Sequence, residues 1–528
     1  MYKVLIPSAG LGTRLGETSK NLNKALVALD NKPVISHVIE KFPKHIEIVL
    51  ALGYKGDLLK QYLDMAHSDR NITYVNVSKF QGDGAGLGLT VLECKKYLQC
   101  PFIFCTNDTV ILEEIPEPTQ NWVGFAEIEN NKNYRSFKIS KNYDVEKVCE
   151  KQEASLSSTK PYIGLAAIKD YNAFWQSMEK GRNYGSIQSG ESYAIKAMLE
   201  QDIRFKAKKF TWYDTGNIES LEYAKNILRS ENSPEILEKP NEAIWFVNGR
   251  VIKYSADSSF ISERVSRATR LKGYVPEITA NSKNMYSYRM LNGQVISKAA
   301  NSHTFFNLLQ YLEHFWEPVK LTTTQSDEFK KTCNKFYKDK TNNRVKLYLD
   351  RFSEQDEQQI INGKEIPTVK EVLNKVPWGL LEDGQPHRFH GDLHFENILL
   401  CETGQFCLLD WRQNFGGLQE YGDIYYDFAK ILHGLIVSHE LVNKECFTIL
   451  QNENIVSYDL HRKHSLVKNE TNFLDFLDKR GYNVYKVKII TYLIFLNIAA
   501  LHHYPYSKLL FYLGKDGLYN LLESESEF

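Results

Sequence analysis

The residues that first suggest chemistry form a glycine-rich stretch at 8–27, SAGLGTRLGETSKNLNKALV, directly after the apolar run YKVLIP. A glycine-rich turn between a strand and a helix commonly holds phosphate, because its backbone N–H groups can approach the anion closely. The stretch lacks the GK[ST] ending of a P-loop and the third glycine of a dinucleotide fingerprint. It carries Arg14 and Lys24 instead, so we expect chemistry other than simple ATP hydrolysis or hydride transfer.

Transfer of a nucleoside monophosphate would give each of these residues a task. Gly10, Gly12 and Thr13 would let the backbone cradle a triphosphate, and Arg14 would reach its phosphates. Lys24 could stabilise the charge that develops at the α-phosphate when a nucleophile attacks. Glycine turns with a purely structural role are common, so this interpretation depends on acidic partners elsewhere in the chain.

Two aspartates follow apolar segments and could supply the oxygen ligands that Mg²⁺ prefers. Asp108 ends PFIFCTND, and Asp214 lies within FTWYDTGN. Either residue alone would be an ordinary carboxylate at the end of a strand. Together with the glycine-rich stretch, they predict a nucleotidyl-transfer site in which both aspartates bind the metal.

A second set of reactive residues lies in HRFHGDLHFENILL, where His390, Asp392 and Asn397 fit the pattern H-G-D-x-x-x-x-N. Phosphoryl transfer from ATP needs a carboxylate that orients the attacking hydroxyl, and oxygen ligands for Mg²⁺. Asp392 fits the first role and Asn397 the second. Asp410, thirteen residues after Asn397 at the end of the apolar run CLL, is a further metal ligand candidate.

Zinc binding is the alternative function for the histidines of this segment. Their spacing is not that of an HExxH helix, and no cysteine or acid nearby completes a tetrahedral set. The pattern therefore favours phosphoryl transfer. The histidines concerned are His387, His390 and His394.

The elements that must position the first site alternate between strands and helices over residues 1–228. Strands are predicted at YKVLIP, IEIVLALG, ITYVNV and PFIFCTND, and apolar residues recur at helical spacing in PVISHVIEKF, KGDLLKQYLDMA and GLTVLECKKYL. This alternation predicts a Rossmann-like α/β domain with a mainly parallel mixed sheet. Ligands of such sheets bind beyond the carboxyl ends of the strands, where the glycine-rich stretch and Asp108 would meet.

A polar segment with two prolines, residues 229–242, is the predicted linker to a second domain at 243–528. AIWFVNGRVIKYS and MYSYRMLNGQVIS predict strands interrupted by Asn-Gly turns, which favour tight hairpins. From about residue 303 the pattern is mostly helical. A small β-rich lobe followed by a larger helical lobe is typical of an α+β protein-kinase-like domain.

The composition limits the function classes that need to be considered. The 65 basic and 65 acidic residues cancel and no long basic tract occurs, which argues against nucleic acid as a main partner. No secretory signal pattern opens the chain, and KIITYLIFLNIAAL is better explained as a buried helix than as a membrane span. Eight cysteines without a CxxC pair fit reduced thiols in a cytoplasmic protein, and homo-oligomerisation stays open.

The N-terminal motifs resemble the G-x-G-T-R…P-K signature of sugar-phosphate nucleotidylyltransferases and phosphocholine cytidylyltransferases. The resemblance covers about residues 1–228 and implies that Lys24 is catalytic and that Asp108 and Asp214 hold Mg²⁺. Two departures concern the loop. Asn23 replaces the proline that precedes the family's lysine, and ETS replaces its PLT.

Two further stretches match the same family. GDGAGLGLTVLE lies where the family has its base-recognition loop, which implies that Gly86, Leu87 and Gly88 contact the nucleotide base. VCEKQ resembles the family's E-K pair, which implies that Glu150 and Lys151 lie near the acceptor phosphate. Adjacent opposite charges are also common on protein surfaces.

Residues 243–528 resemble the aminoglycoside phosphotransferase and choline kinase family. The stretch RVIKY implies that Lys253 grips the α- and β-phosphates of ATP, and Glu263 in FISERVSR would pair with it. The stretch YGDIYYDFAKIL implies that Asp423 and Asp427 support the catalytic loop.

Together the two sites imply two consecutive reactions on one compound. ATP would phosphorylate a small hydroxyl compound, and a nucleoside monophosphate would then be joined to the product with release of pyrophosphate, both steps with Mg²⁺. The compact N-terminal half favours CTP and a small alcohol, and the resemblance implies a role in surface polysaccharide synthesis. The alternatives are a sugar kinase joined to a sugar-phosphate nucleotidylyltransferase that uses UTP, GTP or dTTP, and a chain in which one domain is inactive and regulatory.

Overall fold

The computed structural model divides into two compact units. The N-terminal unit contains residues 1–261 and 279–290, and the C-terminal unit contains residues 262–278 and 291–528. Most of the predicted linker at 229–242 lies outside the described residues. The structure describes residues 2–128, 133–151, 159–230 and 241–526.

The N-terminal unit alternates strands and helices, as its sequence predicts. Its strands are β1 Lys3–Ser8, β2 Ala28–Leu29, β3 Lys32–Pro33, β4 Glu47–Leu52, β5 Ile72–Asn76, β6 Phe102–Cys105, β7 Thr109–Ile111, β8 Trp122–Phe125, β9 Ser136–Ile139, β10 Val145–Cys149, β11 Thr159–Ile168, β12 Lys206–Lys209, β13 Trp212–Asp214, β14 Glu242–Val247, β15 Arg250–Ser255, β16 Ile278–Asn281 and β17 Met285–Arg289. Its helices are α1 Val34–Ile39, α2 Gly56–Ala66, α3 Leu87–Glu93, α4 Tyr171–Lys180, α5 Ser186–Ser189, α6 Glu191–Leu199 and α7 Ile218–Leu228, with short 3₁₀ turns at Thr13–Ser19, Lys24–Leu26, Lys95–Tyr97 and Gly181–Asn183.

The central sheet of this unit has the strand order β10-β9-β11-β6-β1-β4-β5, with β8 paired to β11 and β12 to β8. Strands β6, β1, β4 and β5 run parallel, and β11 is antiparallel to β6. Alternate residues of β1 enter different cores, Val4 and Ile6 on one face and Leu5 on the other. Since both faces of the sheet are buried, its strands are continuous apolar runs, and the predicted α/β class is confirmed.

The same unit contains a four-stranded sheet with the order β14-β15-β17-β16. Asn248 and Gly249 join β14 to β15 and both have positive φ, 49° and 68°, as a two-residue hairpin turn requires. The hairpin predicted here is confirmed.

This second sheet packs into the core of the N-terminal unit. Trp245 of β14 is 1% exposed and meets the ring of Tyr62 edge-on, with ring centroids 5.1 Å apart. The backbone N–H of Phe246 donates to the carbonyl of Asn31 over 2.9 Å. The division of the chain by contacts therefore falls after residue 243, and the predicted domain limits stay a prediction.

The C-terminal unit is mostly helical, as predicted. Its helices are α8 Ser258–Arg270, which begins in the N-terminal unit, α9 Ile296–Ala299, α10 Ser302–Phe315, α11 Thr323–Asn334, α12 Lys340–Phe352, α13 Val369–Asn374, α14 Trp378–Glu382, α15 Ile424–Ile436, α16 His439–Asn443, α17 His464–Lys479, α18 Val484–Ala499 and α19 Tyr506–Ser526, with a π-helical turn at Lys335–Asp339 and a 3₁₀ turn at Phe395–Asn397. Its strands are β18 Gly293–Val295, β19 Gln359–Ile361, β20 Lys364–Ile366, β21 Pro386–His387, β22 Ile398–Cys401, β23 Phe406–Leu408, β24 Gly422–Asp423, β25 Phe447–Asn452 and β26 Ile455–Leu460.

One predicted hairpin is wrong. The Asn-Gly pair at 292–293 was expected to join two pairing strands, but β18 pairs with β22, whereas β17 pairs with β15 and β16. Pairing with a strand far away in the sequence overrode the local turn preference. β18 pairs with β22 of the β22–β23 hairpin, which lies between Asn397 and Asp410 in the chain.

Most of the apolar run at 488–501 lies in α18, where 11 of the 16 residues are buried, as the prediction of a buried helix requires. Among the residues that the structure describes, no helix combines the length and the apolar character that a bilayer span needs. All eight cysteines are free thiols, and five of them are buried.

Candidate active sites

The glycine-rich stretch forms a tight turn between β1 and a 3₁₀ helix. Gly12 has φ of 72°, and a Cβ placed on it would lie 2.9 Å from the Cβ of Lys24. The Ser19 hydroxyl donates to the carbonyl of Gly12 over 3.0 Å. A Cβ on Gly10 would meet nothing within 4 Å. Gly12 is therefore the glycine that lets the turn fold against Lys24, while Gly10 leaves open space beside it.

Asn23, which departs from the family's proline, holds this turn to the neighbouring strand. Its side chain is fully buried, and its Nδ2 donates to the carbonyls of Ser8 and Tyr54 over 3.3 and 2.7 Å. Its Oδ1 accepts from the N–H of Ala25 over 3.0 Å and caps the short helix that begins at Lys24. The backbone φ of Asn23, −68°, is one that proline would also adopt. The substitution therefore keeps the backbone conformation and adds three hydrogen bonds.

Lys24 and Asp108, 84 residues apart in the chain, form an ion pair of 2.9 Å between Nζ and Oδ2. Burial alone would raise the pKa of Asp108, but Lys24, a hydrogen bond from Thr106 and the charge of Arg14 hold it below its ordinary value. Asp108 is therefore ionised at neutral pH and available as an oxygen ligand.

Asp214 lies beside Asp108 because β13 and β7 pair antiparallel, with Asp214 opposite Thr109. A Cβ on Gly216 would lie 3.1 Å from Oδ1 of Asp214, 3.3 Å from Oδ2 of Asp108 and 3.4 Å from Nη2 of Arg14. The two carboxylates and the guanidinium thus converge on one point that only a glycine leaves open.

The donor set at this point fits Mg²⁺, which prefers hard oxygen ligands and usually retains several waters. Asp108 and Asp214 would hold the ion, and the ion would neutralise charge on the triphosphate. The structure brings together Gly12, Arg14, Lys24, Asp108 and Asp214, whose association the sequence predicted.

Sequence analysis missed the residues that hold Asp214 in place. The Tyr134 hydroxyl donates to Oδ2 of Asp214 over 2.9 Å, and its ring meets Trp212 edge-on. The Gly216 N–H donates to Oδ1 over 2.9 Å. The WYDTGN motif signalled Gly216, whereas no pattern in the sequence pointed to Tyr134.

Gly86 and Gly88 have a packing reason to be glycine. A Cβ on Gly86 would lie 2.2 Å from the carbonyl oxygen of Ile187, and one on Gly88 would lie 1.9 Å from that of Ser186. Both glycines therefore allow α3 to approach the chain at the start of α5. Their predicted contact with the base, together with that of Leu87, stays a prediction.

Glu150 and Lys151 are exposed at the end of β10. Oε2 of Glu150 accepts from Nη2 of Arg135 over 3.0 Å, and Arg135 also donates to the carbonyl of Ser189 over 3.2 Å. Arg135, to which no sequence pattern pointed, thus joins the predicted acceptor region to the end of α5. The role of Glu150 and Lys151 at the acceptor phosphate stays a prediction.

In the C-terminal unit, Asp427 supports the predicted catalytic loop. Its carboxylate accepts from the N–H groups of His390 and Gly391 over 2.8 and 2.7 Å, and from the indole of Trp316 over 3.2 Å. Burial raises the pKa of Asp427 to about 6, although the two backbone N–H groups oppose the shift. The loop therefore depends on an acid that ionises near neutral pH.

Asp423, directly before α15, pairs with Pro386 in β21, the strand that leads into this loop. Its Oδ1 accepts from the N–H groups of Gln385 and Tyr425 over 3.0 and 3.3 Å, and its Oδ2 accepts from the Tyr337 hydroxyl over 2.8 Å. Asp423 is fully buried, so these bonds replace the water that its charge has lost. Asp427 thus contacts the catalytic loop itself, as the sequence implied, whereas the hydrogen bonds of Asp423 lie outside that loop and its supporting role stays a prediction.

Asp392, the predicted catalytic carboxylate, is 35% exposed and forms an ion pair of 2.8 Å with Lys430. Nδ2 of Asn397 donates to the backbone carbonyl of Asp392 over 2.9 Å and reaches its Oδ2 at 3.3 Å. Burial alone would raise the pKa of Asp392, but Lys430 and His394 hold it well below its ordinary value. Asp392 is thus ionised and ready to accept a hydrogen bond from a hydroxyl group.

Asp410 has a positive φ of 56° and forms an ion pair with Arg264 of α8. The neighbouring Glu263 accepts from Nδ2 of Asn414 over 2.6 Å. Lys253 is 8% exposed on β15 and belongs to the other unit, so its pairing with Glu263 stays a prediction.

Sequence analysis missed Lys430 and Arg264. Lys430 follows Asp427 by three residues on α15, so helical spacing alone would have placed it near the catalytic loop. Arg264 directly follows Glu263, the residue selected as a partner of the phosphate-binding lysine.

Comparison with known proteins agrees with the two kinds of site. Residues 330–443 match the model of the phosphotransferase enzyme family, the APH family. The N-terminal region is similar to the bifunctional protein GlmU of Methanococcus vannielii, 25% identical over 242 residues, which are 44% of this chain and 56% of that protein. It is also similar to the UTP–glucose-1-phosphate uridylyltransferase AglF of Haloferax volcanii, 24% identical over 110 residues, 20% of this chain and 44% of that protein.

A solved structure, the CTP:phosphocholine cytidylyltransferase LicC from Streptococcus pneumoniae, aligns with 43% of this chain and 99% of its own, with 18% identity and a TM-score of 0.36. The chain spans about half the length of the GlmU relative. The chain thus carries an N-terminal region that is similar to nucleotidylyltransferases and a C-terminal segment that matches the model of the phosphotransferase enzyme family.

Proposed function

We propose that this chain is a bifunctional enzyme that activates a small hydroxyl compound in two steps. In the first step, ATP phosphorylates the compound at the kinase-like site. In the second step, a nucleoside monophosphate, most consistently CMP from CTP, is transferred to the new phosphate and pyrophosphate leaves. The product would be an NDP-activated building block for surface polysaccharide, made in the cytoplasm where both triphosphates are supplied.

The observation that carries this proposal is that each half of the chain has its own set of charged groups suited to phosphate chemistry. The N-terminal unit joins Lys24 to Asp108 and directs Asp214 and Arg14 to the same point. The C-terminal unit joins Asn397 to Asp392. An inactive partner domain would have no reason to keep such a set.

At the kinase-like site, the acceptor hydroxyl would donate to Asp392 and attack the γ-phosphorus of ATP, and ADP would leave. Asn397 and Asp410 would hold Mg²⁺, which neutralises charge on the phosphates. Lys253 and Glu263 are the proposed contacts on the nucleotide side. Lys430 keeps Asp392 ionised, so this carboxylate orients the hydroxyl at any physiological pH.

At the nucleotidyl-transfer site, an oxygen of the phosphorylated compound would attack the α-phosphorus of the second triphosphate. Arg14 and Lys24 would stabilise the charge that develops there, and the turn that contains Gly10, Gly12 and Thr13 would hold the phosphates.

We also propose contacts between this site and each of its two substrates. Glu150 and Lys151 would lie near the acceptor phosphate. Gly86 and Gly88 would lie near the base.

A sugar as the acceptor, with UTP, GTP or dTTP as the second nucleotide, is the second candidate function. The observation that favours it is the similarity to AglF, whose name specifies UTP and glucose 1-phosphate.

Phosphorus NMR tests the proposal. The purified protein would receive ATP, Mg²⁺ and each of CTP, UTP, GTP and dTTP in turn, with acceptors added as pools of alcohols, hydroxy acids and sugars. A phosphomonoester signal followed by a diphosphate-diester signal supports the two-step reaction, and the nucleotide that gives the diester identifies the second substrate. A monoester without any diester would contradict the assignment of the N-terminal site.

Two variants separate the two steps. Asp392→Ala should abolish phosphorylation but leave nucleotidyl transfer to a supplied phosphomonoester intact, and Lys24→Ala should do the reverse. Lys20→Ala is the matched control for Lys24→Ala, because Lys20 lies in the same loop and its side chain forms an exposed ion pair with Glu17. Loss of both activities in either folded variant would refute two independent sites.

A further inference from the structure

Four basic side chains gather beside the proposed catalytic carboxylate of the C-terminal unit, and only one of them, Lys430, has a role so far, as the partner of Asp392. We call Lys340, Arg344, Arg412 and Lys430 the cationic cluster. They surround the phenol of Tyr426, which is 5% exposed. Two members come from α12, one follows β23, and one comes from α15.

The contacts of α12 define one side of the cluster. Nζ of Lys340 lies 3.5 Å from the Tyr426 hydroxyl and 4.3 Å from the ring centre of Phe336. The guanidinium of Arg412 lies 5.1 Å from the same ring. Arg344 follows Lys340 by four residues, so the two cations lie on one face of α12.

Lys430 connects the cluster to the reacting groups. It follows Tyr426 by four residues on α15 and forms the 2.8 Å ion pair with Oδ1 of Asp392. The backbone N–H of Arg412 donates to the carbonyl of His390 in the catalytic loop over 2.9 Å. Two members of the cluster, Lys430 and Arg412, therefore contact the loop that carries the catalytic carboxylate.

The electrostatics of these groups show an excess of positive charge. Burial, together with the nearby Arg412 and Lys430, lowers the pKa of Lys340 to about 8 in spite of Tyr426. Burial alone would raise the pKa of Tyr426, yet Lys340, Lys430 and Arg412 hold it below its ordinary value. A buried phenol shifts in this direction only where cations outweigh the loss of water.

Within the described ranges, none of Lys340, Arg344 and Arg412 forms an ion pair with a carboxylate. The aromatic rings of Phe336 and Tyr426 compensate the cations only in part, by cation–π contact. Cations held together without matching acids disfavour a cationic ligand and favour an anionic one.

We propose that the hydroxyl compound phosphorylated at Asp392 is itself an anion, a hydroxy acid or sugar acid whose carboxylate is bound by Lys340, Arg344 and Arg412. This inference rests on the proposed kinase function and names its substrate class. It disfavours choline, ethanolamine and other amino alcohols as acceptors, because the site would repel their positive charge.

The reaction balances with the groups named. The acceptor oxygen forms a bond to the γ-phosphorus of ATP, the bond from that phosphorus to the β–γ bridging oxygen breaks, and ADP leaves with the electron pair. The hydroxyl proton passes to Asp392 and then to solvent. The carboxylate of the acceptor does not react, so the product carries both a phosphomonoester and a carboxylate.

The phosphates of ATP are a second source of the same anionic chemistry, and the experiment must distinguish them from the acceptor. The wild-type enzyme would be assayed with pairs of acceptors that differ in charge: glycerate and glycerol, gluconate and sorbitol, and choline as the cation. Lys340→Met and Arg344→Gln would be assayed for KM of the acceptor and, separately, for KM of ATP. Lys346→Gln, an exposed lysine on the same helix, is the matched control.

We expect kcat/KM at least tenfold higher for the acid than for the neutral member of a pair, and no detectable turnover of choline. Each cluster variant should raise the KM of the acceptor at least tenfold and leave the KM of ATP within twofold, while Lys346→Gln changes neither. Thermal unfolding checks that each variant is folded. If Lys340→Met does not fold, Arg344→Gln still tests the inference, because Arg344 is only half-buried.

Three results would overturn the inference. Preference for the neutral or cationic acceptors would refute an anionic substrate with the kinase function intact. A rise in the KM of ATP alone would assign the cluster to the nucleotide phosphates. If a folded wild-type protein phosphorylates no acceptor of any charge, the proposed kinase function fails and the inference fails with it.

Discussion

Asn23 offers the sharpest test of how the N-terminal site is built, because one buried amide joins the glycine-rich turn, the end of β1 and the loop after β4. Replacing Asn23 with alanine removes its hydrogen bonds to the carbonyls of Ser8 and Tyr54 and from the N–H of Ala25. Up to three backbone groups would then be buried without a partner. Lys24, the next residue, would lose its fixed position.

The expected loss of stability follows from these three hydrogen bonds. Leaving a buried polar group unpaired costs about 1–3 kcal/mol, and loss of a helix cap costs about 1 kcal/mol. Because the bond to Tyr54 is only partly buried, we expect the free energy of unfolding of the N-terminal unit to fall by about 3 kcal/mol. This corresponds to roughly 150-fold faster exchange of amides that exchange through opening of that unit.

Hydrogen–deuterium exchange of peptides that cover β1 and β4 is the suitable measurement, because a chain with two units does not unfold in one transition. Nucleotidyl transfer should fall in the same variant, and phosphorylation should not change. Lys20→Ala is the control and should shift stability by no more than about 0.5 kcal/mol, since its ion pair with Glu17 is exposed.

Asn23→Pro distinguishes the hydrogen bonds from the backbone conformation. Proline fits the φ of −68° at this position but makes none of the side-chain bonds. We expect Asn23→Pro to be about as unstable as Asn23→Ala. If proline gave wild-type exchange rates, or if alanine changed them less than threefold, the bridging role of the amide would be wrong.

Three further predictions concern other parts of the structure. Gly12→Ala should lower nucleotidyl transfer at least tenfold, because the new Cβ would lie 2.9 Å from the Cβ of Lys24 at a φ that disfavours alanine. Gly10→Ala is the control and should fold normally. Equal folding and activity of the two variants would contradict this prediction. The rate of phosphorylation should fall as the pH drops through about 6, because protonation of Asp427 removes the charge that the loop N–H groups face. Asp427→Asn should abolish this pH dependence. If the variant showed the same fall in rate at low pH, the pH dependence would belong to another group. Trp245→Ala should destabilise the N-terminal unit by about 3–5 kcal/mol, because it opens a cavity against Tyr62. Hydrogen–deuterium exchange in β4 measures the effect. Exchange at the wild-type rate would show that the second sheet is not part of that core.

Local patterns in the sequence were sufficient where neighbouring residues decide the outcome. The apolar runs that became β1, β4 and β6 predicted a buried sheet, and the Asn-Gly turn at 248–249 predicted the β14–β15 hairpin of the second sheet. The spacing within H-G-D-x-x-x-x-N placed Asp392 and Asn397 on one tight loop, where Asn397 now holds the backbone of Asp392. Within each strand, turn or loop the deciding residues are close in the chain, so their spacing fixes the local geometry.

Long-range pairing limited what the sequence could predict. The Asn-Gly pair at 292–293 carries the same turn signal as the pair at 248–249, yet β18 pairs with β22, about a hundred residues away. The second sheet packs into the N-terminal core through Trp245, although the composition indicated a linker before it. The local preference for a turn does not decide the strand pairing when a distant strand provides a full set of backbone hydrogen bonds and a buried face.

The sequence by itself determined which residues can do chemistry here: the cationic pair in the glycine-rich stretch, the aspartates after apolar strands and the catalytic loop. Only the tertiary structure decided their partners, since Lys24 meets Asp108 across 84 residues and Lys430 meets Asp392 across 38. It also decided that basic side chains from α12 and α15 gather around Tyr426. The physical reason is that charge acts through space over a few ångströms, and folding alone sets which side chains come within that distance.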